Sequence, residues 1–289
     1  MDITARDVKA LREKTGCGMM DCKKALVKAG GDTQAAVDIL RKRGLDVFAK
    51  KSQRTASEGV AVAVVNEDRT VGVCIEINSE TDFVAKNSRF LDFVNTCAQT
   101  VIHSNPANVE ELLETDVYGG KGDKVDDLLK ENILVIGENI RIRRFKRFEG
   151  VVSGYTHANG RMASLVKFSV SSGFSRSEEF AAFSDDIAVH VVASNPLYID
   201  EDFVPPEVIE HERGIFLEQV STEGKPANIA EKIVEGRMKK FYKEVCLLKQ
   251  DFVKNPDYSI ANYINEISRR LGIDVSVEEF VKYERGEGI

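Results

Sequence analysis

The sequence lacks the constellations that carry covalent chemistry. Its five cysteines (Cys17, Cys22, Cys74, Cys97, Cys246) are an odd number and form no CxxC pair, which argues against a disulfide framework or a zinc site. Cys74 and Cys97 fall inside apolar patterns and read as buried free thiols. The four histidines (His103, His157, His190, His211) are scattered, with no HExxH pair and no plausible nucleophile beside them. His103 and His190 read as satisfied structural histidines. No GxxxxGK[ST] loop exists; "GGKGDK" at 119–124 has the glycines but follows no strand, so it reads as a turn. No apolar run approaches the roughly 20 residues of a membrane helix, and "MDITARDVKALREKTG" lacks the apolar core of a signal peptide. A cytoplasmic protein is expected, with no catalytic residue, metal or cofactor of its own.

What is present is ample material for folding. Of 289 residues 43% are hydrophobic and 30% charged, enough for two or three compact units with cores. The net charge of −7 weighs against nonspecific nucleic-acid binding, which works by neutralising phosphates. Residues 1–55 predict three short helices and a linker. Thr4 caps the first, with Val8, Leu11 and Thr15 on one face. The second runs from about Met20 to Ala29, and the third from Asp32, as cap, to Gly44. "AKKSQRTASEG" then reads as a polar linker that joins the bundle to the rest by few contacts.

The remainder carries an internal repeat. "GVAVAVVNEDRTVGVCIEIN" and "GVVSGYTHANGRMASLVKFSV" both alternate as hairpins. Phe90, Phe93 and Ser104-Asn105-Pro106 recur as Phe180, Phe183 and Ser194-Asn195-Pro196, all shifted by 90. An α+β fold is expected, with two similar halves at 56–139 and 140–289, each an antiparallel sheet covered by a long helix. The second half is interrupted at about 205–247 by a helical hairpin, with Pro206 and Pro226 opening its helices. A last helix from about Ser259 to Leu271 and a strand in "DVSVEEFVKYE" close the chain.

Two stretches invite a functional reading. "RIRRFKRF" at 141–148 mixes basic and aromatic residues, as an RNA-binding surface does; the plainer reading is an edge strand kept soluble by charge. "INSETDFVAKNS" at 77–88 turns sharply from a β-branched strand into residues fit for a helix N-terminus. Opposite Thr81-Asp82-Phe83 the second half has Ser172-Gly173-Phe174. The ring recurs and the acid does not, so Phe83 is either core or a contact point, and Asp82 either a cap or part of that contact.

Five stretches together, "TGCGMMDCKKAL", "TDFVAK", "IGEN", "HVVASNP" and "IAEKIVEGRMKKF", resemble the bacterial elongation factor Ts family, in register from residue 3 to "GEGI". Asp251, where relatives usually carry proline, and Cys17, in place of alanine, depart from its pattern. The resemblance implies a ubiquitin-associated-like N-terminal bundle, a duplicated core, and GDP exchange on the translation GTPase elongation factor Tu, bound both with GDP and without nucleotide. It assigns Thr81, Asp82, Phe83 and Val84 to disturbing the partner's magnesium site. Met19, Met20 and Lys23 become a docking face, with Met20 expected in the bundle core. Val234, Arg237 and Met238 fall near the partner, Arg237 being either a charged anchor or solvated surface. Self-association through the hairpin stays open. The competing readings are a tethering adaptor and an RNA-binding, ribosome-associated factor.

Overall fold

The computed structural model describes residues 3–171, 177–222 and 227–289. Helix α1 (Ala5–Thr15) starts at a capping box: the Asp7 amide donates to the Thr4 hydroxyl, and the Thr4 amide donates back to the Asp7 carboxylate at 2.9 Å. After α2 (Met19–Lys28), α3 (Thr33–Lys51) does not stop at Gly44. It runs on through Gly44, which is buried beside Leu134. Tertiary packing outweighs the roughly 1 kcal/mol that glycine costs inside a helix. Val8, Leu11, Cys22, Leu26 and Leu40 form the bundle core, and Leu134 and Val135 pack against it. The expected loosely joined bundle is therefore corrected: it leans on the rest of the chain.

Strands β1 (Glu58–Val65) and β2 (Val71–Ser79) form the first hairpin. One turn, α4 (Asp82–Ala85), and the long α5 (Ser88–Ser104) follow. Next come α6 (Val109–Glu114), α7 (Val125–Ile136) and β3 (Ile140–Glu149), which pairs with β2. The second hairpin is β4 (Val151–His157) and β5 (Met162–Val170), covered by α8 (Glu178–Ser194). Helices α9 (Pro206–Thr222) and α10 (Ala227–Val245) make the hairpin arm. The short pair β6 (Asp251–Phe252) and β7 (Asn255–Ser259), then α11 (Ile260–Leu271) and β8 (Val275–Glu284), complete an α+β fold. Pro206 opens α9 as expected; the Pro226 expectation and Ser172-Gly173-Phe174 lie outside the described residues.

Two three-stranded antiparallel sheets, β1-β2-β3 and β4-β5-β8, pack face to face. Alternation along β2 decides which side chain serves which layer. Val73, Ile75 and Ile77 face α5 and α7, whereas Cys74 joins Val152, Leu165, Phe148 and Tyr283 between the sheets. The sheets approach closely because Gly72 faces Leu165, where a Cβ would be only 2.6 Å from Cδ1. The second outer layer packs Val166, Phe168, Phe180 and Phe183 with Ile264 of α11. All five cysteines are buried and free. Among the described residues no helix is long and apolar enough to cross a membrane.

The arm is tied down at its base. The amides of Leu197 and Tyr198 both donate to the Val245 carbonyl. Gln250 donates to the carbonyls of Ser194 and Glu244, at the ends of α8 and α10. His190, buried beneath, accepts the Val253 amide at Nδ1, so its proton sits on Nε2, facing Gln250 Oε1 at 3.0 Å. Burial lowers its pKa, with the Gln250 bond opposing. His103 is exposed and stacks on Tyr118.

Candidate partner-binding corner

The turn out of β2 is built from interlocked side chains. Ser79 Oγ donates to the Thr81 carbonyl at 3.0 Å. Thr81 holds the N-cap position of α4 but makes no side-chain cap bond. Its amide and hydroxyl instead donate to the two oxygens of Glu138, at 3.0 and 2.7 Å. In return Glu80 accepts the Asn139 amide at 2.6 Å, while Asn139 Nδ2 donates to the Arg54 carbonyl. Gly137, left-handed at the end of α7 (φ 84°), delivers Glu138 and Asn139 to this place. Lys51, at the end of α3, donates to the Gly137 carbonyl, so the bundle is bonded to the same cluster.

The α4 turn sorts its side chains sharply. Val84 and Ala85 are buried in the first core. Phe83, one residue earlier, is 81% exposed. The ring is therefore not core packing. Asp82 does not cap the turn; it pairs with Lys86 at 2.7 Å, and that hydrogen bond lowers its pKa. A large bare ring thus stands on a turn anchored from below by Val84 and from the side by Glu138.

The bundle face also differs from expectation in one residue. The inward face of α2 is Cys22, Ala25 and Leu26, which turns Met20 outward at 63% exposure, beside exposed Met19 and Val27. Met20 is thus corrected from core to surface. With Lys23, Lys24, Ile39 and Arg43 it lines a groove of about 400 Å³. In the arm the correction runs the other way. Val234 and Met238 are buried against Val220 between α9 and α10, so their side chains are out of a partner's reach. Arg237 is half-buried and donates across the arm to Gln219 Oε1 at 2.7 Å.

The basic strand β3 is an edge strand of its sheet, as the plainer reading has it, but its arginines are engaged within the protein. A bulge in the β2–β3 register sets Glu76 opposite Arg144 and Ile77 opposite Ile142, leaving Arg143 as the extra residue. Two consecutive arginines therefore reach one buried carboxylate. Arg143 Nη1 lies 2.9 Å and Arg144 Nε 2.7 Å from Glu76, which also accepts from Asn78 and from the Gly286 amide. Desolvation raises the Glu76 pKa, but these donors outweigh it and hold it below its ordinary value. Arg147 donates to the Ile102 carbonyl and pairs with Glu149. Sequence reasoning passed over Glu76 and Glu138. Their signals were a lone acid in an apolar strand and the "IGEN" stretch.

A family model described as Elongation factor TS matches residues 80–287, more than half of the chain. Elongation factor Ts of Clostridium novyi (strain NT) is 44% identical over 290 residues, covering 99% of this chain and 94% of the relative. The chain belongs to the elongation factor Ts family. Elongation factor Ts of Clostridium botulinum (strain ATCC 19397 / Type A) is 43% identical with the same coverage, and that of Trichlorobacter lovleyi 43% identical over 293 residues. The span matched to the elongation factor Ts model opens at Glu80. It therefore contains Thr81 to Val84, Glu138 and the arm, while the bundle is covered by the likeness to the full-length elongation factor Ts relatives.

Proposed function

We propose that this protein is a nucleotide exchange factor for the translation GTPase elongation factor Tu, which it binds with GDP and without nucleotide. It forms no covalent bond and needs no cofactor. Bound GDP is held by backbone amides around its phosphates and by Mg²⁺, whose octahedral ligation tolerates little displacement. Phe83, with Thr81, Asp82 and Val84 shaping its turn, wedges into the partner near that site and spoils the geometry, so that GDP leaves and GTP can bind. By reciprocity GDP weakens the factor's own binding by the same factor. The observation that carries this reading is the 81% exposure of Phe83 on a turn otherwise fixed on two sides.

Within this reading residues 1–55 are a ubiquitin-associated-like docking domain, with Met19, Met20 and Lys23 on its contact face. Residues 56–139 and 140–289 are duplicated halves, and the second carries the inserted hairpin at about 205–247. The matching left-handed caps of α5 and α8 (Asn105 φ 49°, Asn195 φ 47°) support duplication. Arg237 touches the partner from the arm; Val234 and Met238 serve by packing it, and arm-to-arm self-association is a further use of that surface. The factor works in the cytoplasm. The RNA-binding reading is weaker because Arg143, Arg144 and Arg147 are already engaged by protein groups, and the adaptor reading leaves Phe83 without a role. Fluorescent GDP on elongation factor Tu, chased with and without this protein, tests the proposal. Faster release is expected; an unchanged rate at saturating protein overturns it.

A further inference from the structure

Resting on the exchange-factor reading, we propose that Glu138 is a positioning residue that sets the angle of the Phe83 wedge. A single helical turn has no stability of its own, because nucleation fixes several residues for one hydrogen bond. What holds α4 must come from outside it. Val84 and Ala85 anchor its underside. Its entrance is held by Glu138, which commits both carboxylate oxygens to Thr81, two residues before the ring. Such charge-assisted, two-point contacts fix orientation as well as position.

The second half shows which part of this arrangement is framework. There α11 ends at left-handed Gly272, as α7 ends at Gly137. The Asp274 amide donates to Ser171 Oγ at 3.1 Å, the counterpart of the Asn139 amide donating to Glu80. A bond from the start of the third strand to the end of the second is thus common to both halves. At the Glu138 position, however, the second half has Ile273, which packs against the second core. The frame closes without an acid there. Glu138 spends its two bonds on the turn that carries the bare phenylalanine.

The test is a double-mutant cycle on the full-length protein, read by stopped-flow release of fluorescent GDP from elongation factor Tu. Glu138→Ala is expected to lower the maximal release rate about tenfold, with the half-saturating concentration changed less than about twofold. Glu138→Gln should stay within about twofold of wild type, since its carbonyl accepts the Thr81 amide and its NH₂ meets the hydroxyl. In a Phe83→Ala background, Glu138→Ala should add less than about twofold, because a residue acting through the ring has nothing left to position. Thr81→Val, which deletes only the hydroxyl, should reproduce part of the loss should Glu138→Ala fold poorly. A full further tenfold loss in the Phe83→Ala background overturns the inference, as does a Glu138→Gln defect that appears in half-saturation. A Phe83→Ala protein that releases GDP normally removes the wedge reading itself, which is a separate failure.

Discussion

After β2 the chain makes one helical turn that presents Phe83 to solvent; after β5 the sequence has Gly173 where the first half has Asp82. Around that difference the two halves keep the same frame. Phe90 and Phe180 sit at the same place in their covering helices, both in core. Each sheet has a bulge where its third strand meets its second, at Glu76/Ile77 and at Lys167/Phe168. The bulge charges are reversed: Glu76 receives arginines in one half, and Lys167 reaches Glu278 at 2.6 Å in the other. Thr100 accepts the Tyr118 amide where His190 accepts the Val253 amide. Contacts shared in kind across the halves build the frame. Among the described residues, the bonds of Glu138 to Thr81 in the first half and the arm of the second are not shared.

The comparison can be strained from its largest shared element downward. Phe90→Ala and Phe180→Ala should each cost about 3–5 kcal/mol of folding free energy in denaturant melts. They should match within about 1 kcal/mol and leave exchange per folded molecule unchanged. A large inequality would break the equivalence of the two cores.

The bulges should separate more. Glu76→Ala strips two guanidinium groups and the Gly286 amide of their acceptor and should cost about 3 kcal/mol or more. Lys167→Ala, breaking a pair nearer the surface, should cost under about 1 kcal/mol. Arg143→Ala with Arg147→Ala should lower the melting temperature while keeping exchange per folded molecule within about threefold. Because the Glu76 pKa is held below its ordinary 4.5, its contribution is full above that pH and is lost as pH falls toward the folded-state value. Glu76→Gln should therefore flatten the fall in stability below about pH 4.5.

The smallest effect is at the helix ends. Asn105→Ala and Asn195→Ala should each cost about 1 kcal/mol, because alanine tolerates the left-handed region poorly. Asn195 should cost slightly more, since Lys282 also donates to its side chain. The glycine variants should be close to neutral for Asn105.

Most of the frame was legible in the sequence because it is written in short periods. Alternation gave both hairpins, and caps such as Thr4 and Asp32 gave helix starts. Errors arose where a residue's meaning depends on a distant neighbour. Gly44 reads as a stop until Leu134 is seen beside it. Met20 and Met238 are equally apolar, and their opposite fates depend on which face of each helix is already covered. Arginines 143 and 144 read as surface charge because a one-residue bulge, invisible to periodicity, brings both to Glu76. At the corner the sequence left Phe83 as core or contact point with no means of choosing. Its exposure excludes core, and Glu138, 55 residues along the chain, explains why the turn is fixed.

The central claim, that the corner of the first half acts on the partner while its frame only supports it, meets its most direct test in Phe83→Ala. Release of fluorescent GDP from elongation factor Tu at saturating factor should fall about 30-fold, roughly 2 kcal/mol, with the melting temperature of the free protein almost unmoved. A Phe83→Ala protein that unfolds easily yet exchanges normally per folded molecule would contradict the account and return this ring to plain packing.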